Sequence, residues 1–555
     1  MNRRTFLSAL LAAPHALRAR ELTGDIAIIG AGVGGCAAAL AALRNGMRVV
    51  LTDEADWIGG QLTAQAVPPD EHPYIESFGC TQAYRDYRDA VREYYRRNYP
   101  LTADARRNPR LNPGNAWVSK LSHEPRVSLA VLENMLAPYA SGGSLTLLLG
   151  HVPVAADTAR DSLRSVTLKS SQAGHTRTVQ AQYFVDATEQ GDLLPLAKVE
   201  FVTGSESRRQ TGELHAPEEA RPDDIQSFTI CFAMDYLPGE DHIIDKPAQY
   251  SFWRDYIPQL APPWPGKLFS LEPPQPANLK KRPLSFHPDC DSPGNPPCLW
   301  TYRRIADRKN FTPGSFRSDI CLVNCPQNDY WLGNLHNVTA AAASRNLERA
   351  RQLSLSLFYW LQTEIPRPDG GHGWPGLRLR PDVTGTEDGL AKYPYIRESR
   401  RIQAEFTVLE QHVGTDARMQ ATGKSRDEVT AEAFPDSVGI GSYRIDLHPS
   451  TGGRNYIDVS SLPFEIPLGA LVPKRVDNLL AASKNLGVTH ITNGCYRLHP
   501  VEWNIGEAAG CAAAHALRLK TTPRAIRNNR KLLSDFQAGL RDQGVELAWP
   551  KPAPR

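Results

Sequence analysis

One stretch near the amino terminus constrains the fold more than any other, because it places a glycine pattern between two apolar runs. Residues 26–29 are all apolar, which predicts a strand buried on both faces. An alanine-rich helix is predicted from about Val33, and a second strand over 48–52 that Asp53 closes. The glycines between the first strand and the helix have the spacing G-x-G-x-x-G and are Gly30, Gly32 and Gly35.

This order of strand, glycine turn, helix and strand is typical of a dinucleotide-binding unit. Gly30 permits the tight turn, Gly32 lets a pyrophosphate approach the backbone, and Gly35 lets the helix pack closely on the strand. The N–H groups and the dipole at the start of the helix favour a phosphate there. Asp53 is placed to bind a ribose hydroxyl. The alternative is a chance glycine turn in an α/β protein.

Length and composition set wider bounds. The chain has 555 residues, enough for two or three domains. Hydrophobic residues make up 41% and charged residues 22%, as in ordinary globular proteins. The net charge of +3 gives no indication of a nucleic-acid partner. No apolar run approaches the ~20 residues of a transmembrane span, so none is predicted.

The nine cysteines do not suggest a metal site. Two pairs lie close in sequence, Cys290 with Cys298 and Cys321 with Cys325. Neither pair has C-x-x-C spacing and no histidine cluster lies beside them, so no metal is predicted. Either pair is compatible with a disulfide.

The first 20 residues resemble a twin-arginine export signal. Arg3 and Arg4 precede Thr5, Phe6 and Leu7, and a short apolar segment follows. Such a signal predicts export by the twin-arginine machinery and a periplasmic or secreted location in a bacterium. The alternative is a basic, frayed terminus ahead of the first strand.

A second glycine pair, Gly59 and Gly60, follows soon after Asp53. Together these motifs resemble the FAD-binding half of the glutathione-reductase-type flavoproteins. More narrowly, the chain resembles the FAD-dependent oxidoreductase family, some of whose members carry a xanthan-lyase-like label. The resemblance implies FAD as the cofactor, with its flavin ring near Gly60 and Gln61. The alternative for Gln61 is a position in a plain loop.

The resemblance implies further FAD contacts. The backbone of Val152 is expected to lie against the adenine. The run Asp186-Ala187-Thr188-Glu189 resembles a second FAD fingerprint, D-A-T-G, and Asp186 and Thr188 are expected to serve the cofactor. Glu189 stands where the family usually has glycine, which bears on how closely the backbone approaches the cofactor there.

The predicted fold class is α/β, with a Rossmann-type, glutathione-reductase-like FAD-binding domain and an inserted α+β substrate domain. The predicted segments are a signal (1–20), the first part of the FAD domain (21–204), a substrate or cap domain (205–455), the closing part of the FAD domain (456–520) and a surface segment (521–555).

The closing part supplies the candidate catalytic residues. A loop is predicted over 485–499 and a helix over 502–517, whose N-terminus points at the flavin in the resembled family. His499 is the best candidate for a base, because imidazole titrates near neutral pH. Its alternative is a structural histidine that bonds a loop carbonyl. Arg497 is placed to stabilise an oxyanion or flavin charge, Tyr496 is a weaker candidate, and Gly506 is expected beside the cofactor.

Two segments of the middle region also match the family. One contains Asn324-Cys325-Pro326, where the family tends to have N-W-P. The other contains Arg397, Arg400 and Arg401, which are suited to clamp a carboxylate or a hydroxyl-rich substrate. The alternative is a set of internal ion pairs.

The sequence contains no second G-x-G-x-x-G for a nicotinamide cofactor. We therefore expect hydride transfer from a small C–OH or C–N donor to FAD. Electrons would then pass to oxygen, a quinone or a cytochrome. Two alternatives stay open: a non-redox lyase or isomerase that acts on saccharides, and a carbohydrate-binding protein with a relict flavin domain.

Overall fold

The computed structural model describes residues 20–290 and 293–550. The twin-arginine motif of the predicted signal lies outside the described residues. Strands within them are β1 (Arg20–Thr23), β2 (Ile26–Ile29), β3 (Val49–Thr52), β4 (Leu145–Leu148), β5 (His151–Ala159), β6 (Ser162–Ser170), β7 (Thr176–Gln180), β8 (Tyr183–Asp186), β9 (Phe201–Val202), β10 (Phe228–Thr229), β11 (Phe232–Tyr236), β12 (Arg304–Ala306), β13 (Ile320–Val323), β14 (Asp329–Tyr330), β15 (Leu377–Leu379), β16 (Arg401–Ile402), β17 (Ser437–Gly441), β18 (Ile445–Leu447), β19 (Ile457–Val459), β20 (Phe464–Pro467) and β21 (Leu479–Ala481).

Helices lie mainly before β4 and after β14. They are α1 (Val33–Arg44), α2 (Gln82–Asn98), α3 (Ala103–Arg107), α4 (Pro125–Ser141), α5 (Leu193–Leu196), α6 (Arg208–Thr211), α7 (Tyr250–Asp255), α8 (Leu299–Tyr302), α9 (Ala340–Thr363), α10 (Pro381–Thr384), α11 (Glu410–Val413), α12 (Thr415–Thr422), α13 (His490–Tyr496), α14 (His499–Leu519), α15 (Pro523–Asn528) and α16 (Arg530–Asp542). The predicted mixed α/β fold is confirmed.

A parallel sheet of five strands organises the nucleotide-binding region. Its order is β21-β8-β2-β3-β4. The register aligns Ile29 of β2 with Thr52 of β3 and with Asp186 of β8. The residues after these three strands therefore leave the sheet at the same edge, which is where open parallel sheets bind ligands.

Helices α1 and α14 pack against each other through glycine. A Cβ on Gly506 would lie 2.0 Å from the Gly34 carbonyl oxygen, and one on Gly510 would lie 2.3 Å from the Ala38 carbonyl oxygen. The prediction that Gly506 contacts the cofactor is wrong, because this glycine faces the backbone of α1. The predicted role of Gly35 holds, since a Cβ there would lie 2.0 Å from the Gly30 carbonyl oxygen.

A second sheet has the order β1-β7-β6-β5, and its strands β5, β6 and β7 lie between β4 and β8 in sequence. Strands β5, β6 and β7 are antiparallel, and β1 runs parallel to β7. The His151 N–H donates to the Asp53 carbonyl at 2.9 Å, which fixes the start of β5 beside the end of β3. Val152, whose backbone the resemblance places against the adenine, therefore follows a residue that is bonded to the end of β3.

A second apolar core lies between residues 228 and 456. The antiparallel sheet β12-β13-β11-β15 and helix α9 enclose it. Large side chains such as Trp253, Trp300 and Phe358 are fully buried there. The C-terminal segment, predicted to lie on the surface, is partly buried. Phe536 and Leu540 pack in the first core, and Trp549 donates its indole N–H to the Phe464 carbonyl.

The region before α14 differs from the prediction of a continuous loop. Helix α13 occupies residues 490–496, because Thr489 caps it and its hydroxyl accepts the Thr492 N–H at 3.1 Å. Helix α14 begins at His499 rather than at Glu502, with Pro500 in its first turn. A proline is favourable at that point since it gives up no helical hydrogen bond.

The two cysteine pairs behave differently. Cys290 and Cys298 form a disulfide, whereas Cys321 and Cys325 are buried free thiols.

Among the described helices, none is long and apolar enough to cross a membrane.

Candidate functional site

A cavity of about 390 Å³ lies at the carboxyl edge of the parallel sheet. Its volume is within the range of small-molecule sites. The ends of β2, β3, β5 and β8 contribute its walls, so both predicted FAD fingerprints meet there. Predicted residues in its lining are Gly30, Asp53, Gly60, Val152 and Thr188.

Asp53 is held with its carboxylate at the cavity wall. One oxygen accepts the Ala31 N–H at 2.6 Å and the other accepts the Ala55 N–H at 2.8 Å. Burial raises the pKa of Asp53 to about 7 against the effect of these two N–H groups. Burial also raises the pKa of Glu54 in the same cavity to about 8. An acidic wall suits neutral ribose hydroxyls and disfavours a 2′-phosphate.

The glycine turns form a cradle that side chains would fill. Gly30 and Gly59 have φ angles of +99° and +100°, which favour glycine. A Cβ on Gly30 would lie 2.3 Å from the Ala187 carbonyl oxygen. One on Gly32 or Gly60 would lie 2.8 Å or 2.6 Å from Oε1 of Glu189.

The second fingerprint is ordered by its own hydrogen bonds. Asp186 accepts the N–H and the hydroxyl of Thr188 at 3.1 and 2.8 Å, and the Thr188 hydroxyl accepts the Asp192 N–H at 2.7 Å. Asp186 is fully buried and does not line the cavity, whereas Thr188 does. Asp186 therefore positions the turn rather than contacting a ligand.

Glu189, which stands where the family usually has glycine, belongs to a buried cluster of charged side chains. Lys484 donates to Glu189 at 2.5 Å and to Glu502 at 3.1 Å, and Glu502 accepts the Gly34 N–H at 3.3 Å. Burial alone would lower the pKa of Lys484, but the two carboxylates raise it. The start of α1 is thus met by a carboxylate, so one of the N–H groups that were predicted to favour a phosphate already has a partner.

Two buried glutamines lie beyond Gly60. The side-chain amide of Gln61 donates to the Arg497 carbonyl at 3.1 Å, while its Oε1 has no partner among the described residues. Nε2 of Gln65 has none either, and both side chains are fully buried. Unpaired amide groups of both kinds beside a glycine cradle fit the heteroatoms of a flavin ring. The residues present therefore fit FAD, extended from Asp53 past Gly60 towards these glutamines.

A second, smaller cavity of about 100 Å³ is lined almost entirely by polar and aromatic side chains. We call it the polar cavity. The side chains that form it come from the loop after Gly60, from the region of the second core, from β18 and its flanking residues, and from the turn between α13 and α14. Its lining is Asp70, Pro276, Tyr302, Arg303, Asn324, Cys325, Pro326, Tyr395, Arg397, Tyr443, Asp446, His448, Tyr456 and Arg497.

Each arginine of the polar cavity is paired with a carboxylate. Arg303 donates to both oxygens of Asp70 at 2.8 and 3.1 Å. Arg497 donates to Asp446 at 3.1 Å. Arg397 donates to Asp329, just behind the wall, at 2.9 Å. The carboxylates are therefore already engaged by guanidinium groups before any ligand enters.

His448 is held between two carboxylates in the polar cavity. Nδ1 lies 2.6 Å from Oδ2 of Asp329, and Nε2 lies 3.4 Å from Oδ2 of Asp446. Burial opposes ionisation of Asp329, but Arg397 and His448 lower its pKa. The same balance, set by His448 and Arg497, lowers the pKa of Asp446. The imidazole ring therefore has one carboxylate facing each of its two nitrogens.

His499 lies close to the polar cavity without lining it. Its Nδ1 accepts the Asp70 N–H at 3.1 Å, so that nitrogen carries no proton. Burial lowers the pKa of His499 to about 3, which keeps the ring neutral at ordinary pH. A neutral ring with its accepting nitrogen occupied offers only an N–H. The predicted role of His499 as a base does not suit this geometry.

Some of the other predicted residues line the polar cavity, and the rest make structural contacts outside it. Arg497 lines the polar cavity, but the Tyr496 hydroxyl donates to the Glu465 carbonyl at 2.7 Å and its ring stacks on Phe464. Tyr496 is therefore structural. All three arginines form internal ion pairs, Arg397 with Asp329, Arg400 with Asp192, and Arg401 with Glu206 and Glu398. Of the three, Arg397 lines the polar cavity.

The two cavities are joined by one short segment. Tyr393 lines the first cavity, and Tyr395 and Arg397 line the polar cavity. The Tyr393 N–H donates to the Ala64 carbonyl at 3.0 Å, and the Ile396 N–H donates to Oε1 of Gln65 at 3.4 Å. A ligand that extends along Gly60–Gln65 therefore ends beside the polar cavity.

Sequence reasoning missed several residues of this site, namely Asp70, Arg303, His448 and Tyr456. All four lie outside the helices and strands, in segments without a recognisable motif. The only local signal was the acidic, proline-rich loop that contains Asp70.

Comparisons with known proteins agree with the geometry. A family model described as FAD dependent oxidoreductase matches residues 25–540. No curated protein matches the chain.

Solved structures give only distant likenesses. OxyS anhydrotetracycline hydroxylase from Streptomyces rimosus is 10% identical, with a TM-score of 0.33 over 94% of this chain and 66% of that chain. A variant of E. coli quinol fumarate reductase FrdA is 10% identical, with a TM-score of 0.31 over 94% and 74%. L-proline dehydrogenase from P. horikoshii is 14% identical, with a TM-score of 0.17 over 34% and 24%. This chain thus spans about a quarter of that dehydrogenase. At these TM-scores we base no conclusion on the likenesses.

The family match and the cradle together assign the first cavity. Its glycine turns, the Asp53 carboxylate at its wall and its unpaired glutamine amides fit the requirements of FAD. The cofactor of this protein is FAD.

Proposed function

We propose, from the premise that the chain belongs to the FAD-dependent oxidoreductase family, that it oxidises a small C–OH or C–N donor bound in the polar cavity. The observation that carries this proposal is His448, held between Asp329 and Asp446 in the cavity that adjoins the flavin end of the cofactor site.

Oxidation of a C–OH group removes a hydride and a proton. FAD supplies the hydride acceptor when bound. The chain must supply a proton acceptor, and His448 has the required arrangement. The Asp329 carboxylate accepts a hydrogen bond from Nδ1–H of His448, so Nε2 is the nitrogen that takes up the proton. The imidazolium that forms is then stabilised by the carboxylate of Asp446.

The remaining residues orient the donor. Arg497 and Arg397 are fixed by ion pairs and by hydrogen bonds to backbone carbonyls, so their guanidinium planes are rigid. Gln61 couples the backbone of Arg497 to the cradle of the first cavity. Arg497 is thereby held at the boundary between donor and cofactor, where a positive charge stabilises developing negative charge.

Three finer features belong to the same proposal. Electrons leave for oxygen, a quinone or a cytochrome. The FAD region is of the glutathione-reductase type with an inserted substrate domain, which the meander between β4 and β8 and the separate core of residues 228–456 support. The Arg3-Arg4 motif supports export by the twin-arginine machinery to the periplasm or beyond.

An anaerobic donor screen tests the reaction. The FAD-loaded protein is mixed with small alcohols, hydroxy acids, amines and amino acids, and the visible flavin absorbance is recorded. The proposal predicts stoichiometric loss of the oxidised flavin band with at least one class. Bound FAD that no donor reduces would overturn the proposal and favour a non-redox role.

A further inference from the structure

We propose that the polar cavity binds a small 2-hydroxy carboxylate through unpaired donors on Arg397, Arg497, Asn324 and Tyr456. The identity of this ligand as a reductant rests on the proposed function. Its binding rests on the cavity alone.

The evidence is a set of buried hydrogen-bonding groups without partners. Nε of Arg397, Nε of Arg497, Nδ2 of Asn324 and the hydroxyl of Tyr456 have none among the described residues. The four side chains are at most 5% exposed. An unpaired buried polar group costs about 1–3 kcal/mol, and most such groups are satisfied in native proteins. Four in one cavity therefore indicate a ligand that pairs with them.

The kind of unpaired group selects the chemistry of the ligand. Three of the four are N–H groups, which donate and cannot accept. The amide of Asn324 is oriented with its oxygen towards Arg397 at 3.3 Å, which leaves its NH₂ free. A carboxylate supplies only acceptors and matches such donors.

The same groups disfavour an amino acid. An ammonium group needs acceptors, but Asp70 is engaged by Arg303 and Asp446 by Arg497. A hydroxyl group needs only one acceptor, because it donates a single hydrogen bond, and Nε2 of His448 can accept it. The cavity therefore matches a carboxylate that bears a neighbouring hydroxyl group.

The size of the cavity limits the rest of the ligand. Its volume is about 100 Å³, or the liquid volume of about three water molecules. An acid of two to four carbon atoms is of this order. The rings of Tyr302, Tyr395 and Tyr443 form part of the wall and cover the carbon chain.

The reaction on this ligand balances without another reactant. The C2–H bond breaks and its hydride passes to FAD. The hydroxyl proton passes to Nε2 of His448, and a C2=O bond forms to give a 2-oxo carboxylate. The acid is oxidised by two electrons, and the flavin is reduced by two.

Calorimetry on the FAD-loaded protein tests binding separately from oxidation. The probe is 2-hydroxy-2-methylpropanoate, which has no C2–H and cannot be oxidised in this way. Racemic lactate, 1,2-propanediol and alanine are then tested for anaerobic flavin reduction. We expect saturable binding of the probe, reduction by lactate, and at least tenfold slower reduction by the diol and by alanine.

Tyr456→Phe tests the assignment to this cavity. The change removes only an unpaired hydroxyl, so stability is retained, and we expect about tenfold weaker binding of the probe. The matched control is Tyr359→Phe on α9, which is not part of the lining and should leave the binding unchanged.

The outcomes separate the two proposals. Binding of the probe with no reduction by any donor would retain the site and overturn the proposed function. Reduction by the diol or by alanine with no binding of the probe would retain the proposed function and overturn the hydroxy-acid assignment. Equal binding to wild type and to Tyr456→Phe would also overturn it.

Discussion

Nδ1 of His448 lies 2.6 Å from Oδ2 of Asp329, and the other oxygen of Asp329 accepts Arg397 at 2.9 Å. One carboxylate therefore sets the tautomer of the candidate base and the position of a ligand-binding arginine. This coupling joins proton transfer to substrate orientation.

Asp329→Asn should slow flavin reduction while leaving FAD bound. The amide cannot hold the His448 ring by charge, so we expect a loss of about 10- to 1000-fold, within the range for a positioned general base. Stopped-flow reduction with a saturating donor measures the loss. The control is Asp245→Asn in an exposed loop. An unchanged rate would contradict the role of Asp329.

Glu189→Gln should raise the affinity for FAD about tenfold, or ~1.4 kcal/mol. The carboxylate lies against Gly32 and Gly60, where the pyrophosphate is expected, and the change removes a negative charge there. Lys484 keeps Glu502 as a partner. Fluorescence titration of the apoprotein measures the dissociation constant, with the exposed Glu200→Gln as a control. A weaker affinity in Glu189→Gln would show that the carboxylate supports binding instead.

Gly506→Ala and Gly539→Ala should change stability in opposite directions. Both glycines are inside helices, so both gain the same helix propensity. A Cβ at 506 would lie 2.0 Å from a carbonyl of α1, whereas one at 539 meets nothing within 4 Å. We expect a loss of roughly 1–3 kcal/mol at 506 and a gain of about 0.4–1 kcal/mol at 539. Urea unfolding followed by circular dichroism measures both, and a gain at 506 would contradict the close helix contact.

His499→Gln should reduce the acid sensitivity of the fold. Burial lowers the pKa of His499 from 6.5 to about 3. Between these values the unfolded chain binds a proton that the folded chain does not, so the free energy of unfolding falls as the pH falls. Without His499, the urea midpoint should drop less between pH 7 and pH 5 than in wild type. The exposed His372→Gln serves as control, and parallel pH profiles of wild type and His499→Gln would contradict the prediction.

The first cavity was largely predictable from sequence, whereas the polar cavity was not. Gly30, Asp53 and Thr188 follow strands in a fixed spacing, because phosphate and ribose demand particular backbone turns at a sheet edge. These demands are local and appear as motifs. The expectation for Val152 came from family resemblance; Val152 lines the first cavity, and its contact with the adenine stays a prediction.

The polar cavity depends on contacts between distant segments. Asp70 meets Arg303, and His448 meets Asp329, across more than a hundred residues in each case. No periodicity marks such pairs. Tyr496 shows the same limit of sequence-based prediction. It lies close in sequence to the start of α14, but this proximity did not determine the direction in which its ring points.

The most informative measurement is the rate of anaerobic flavin reduction in wild type and in His448→Asn, at equal FAD content and with the donor found to reduce the wild type. We predict a decrease of about 10²- to 10⁴-fold in His448→Asn and no change in His372→Asn. Equal rates in wild type and His448→Asn would contradict the assignment of the polar cavity as the place of oxidation.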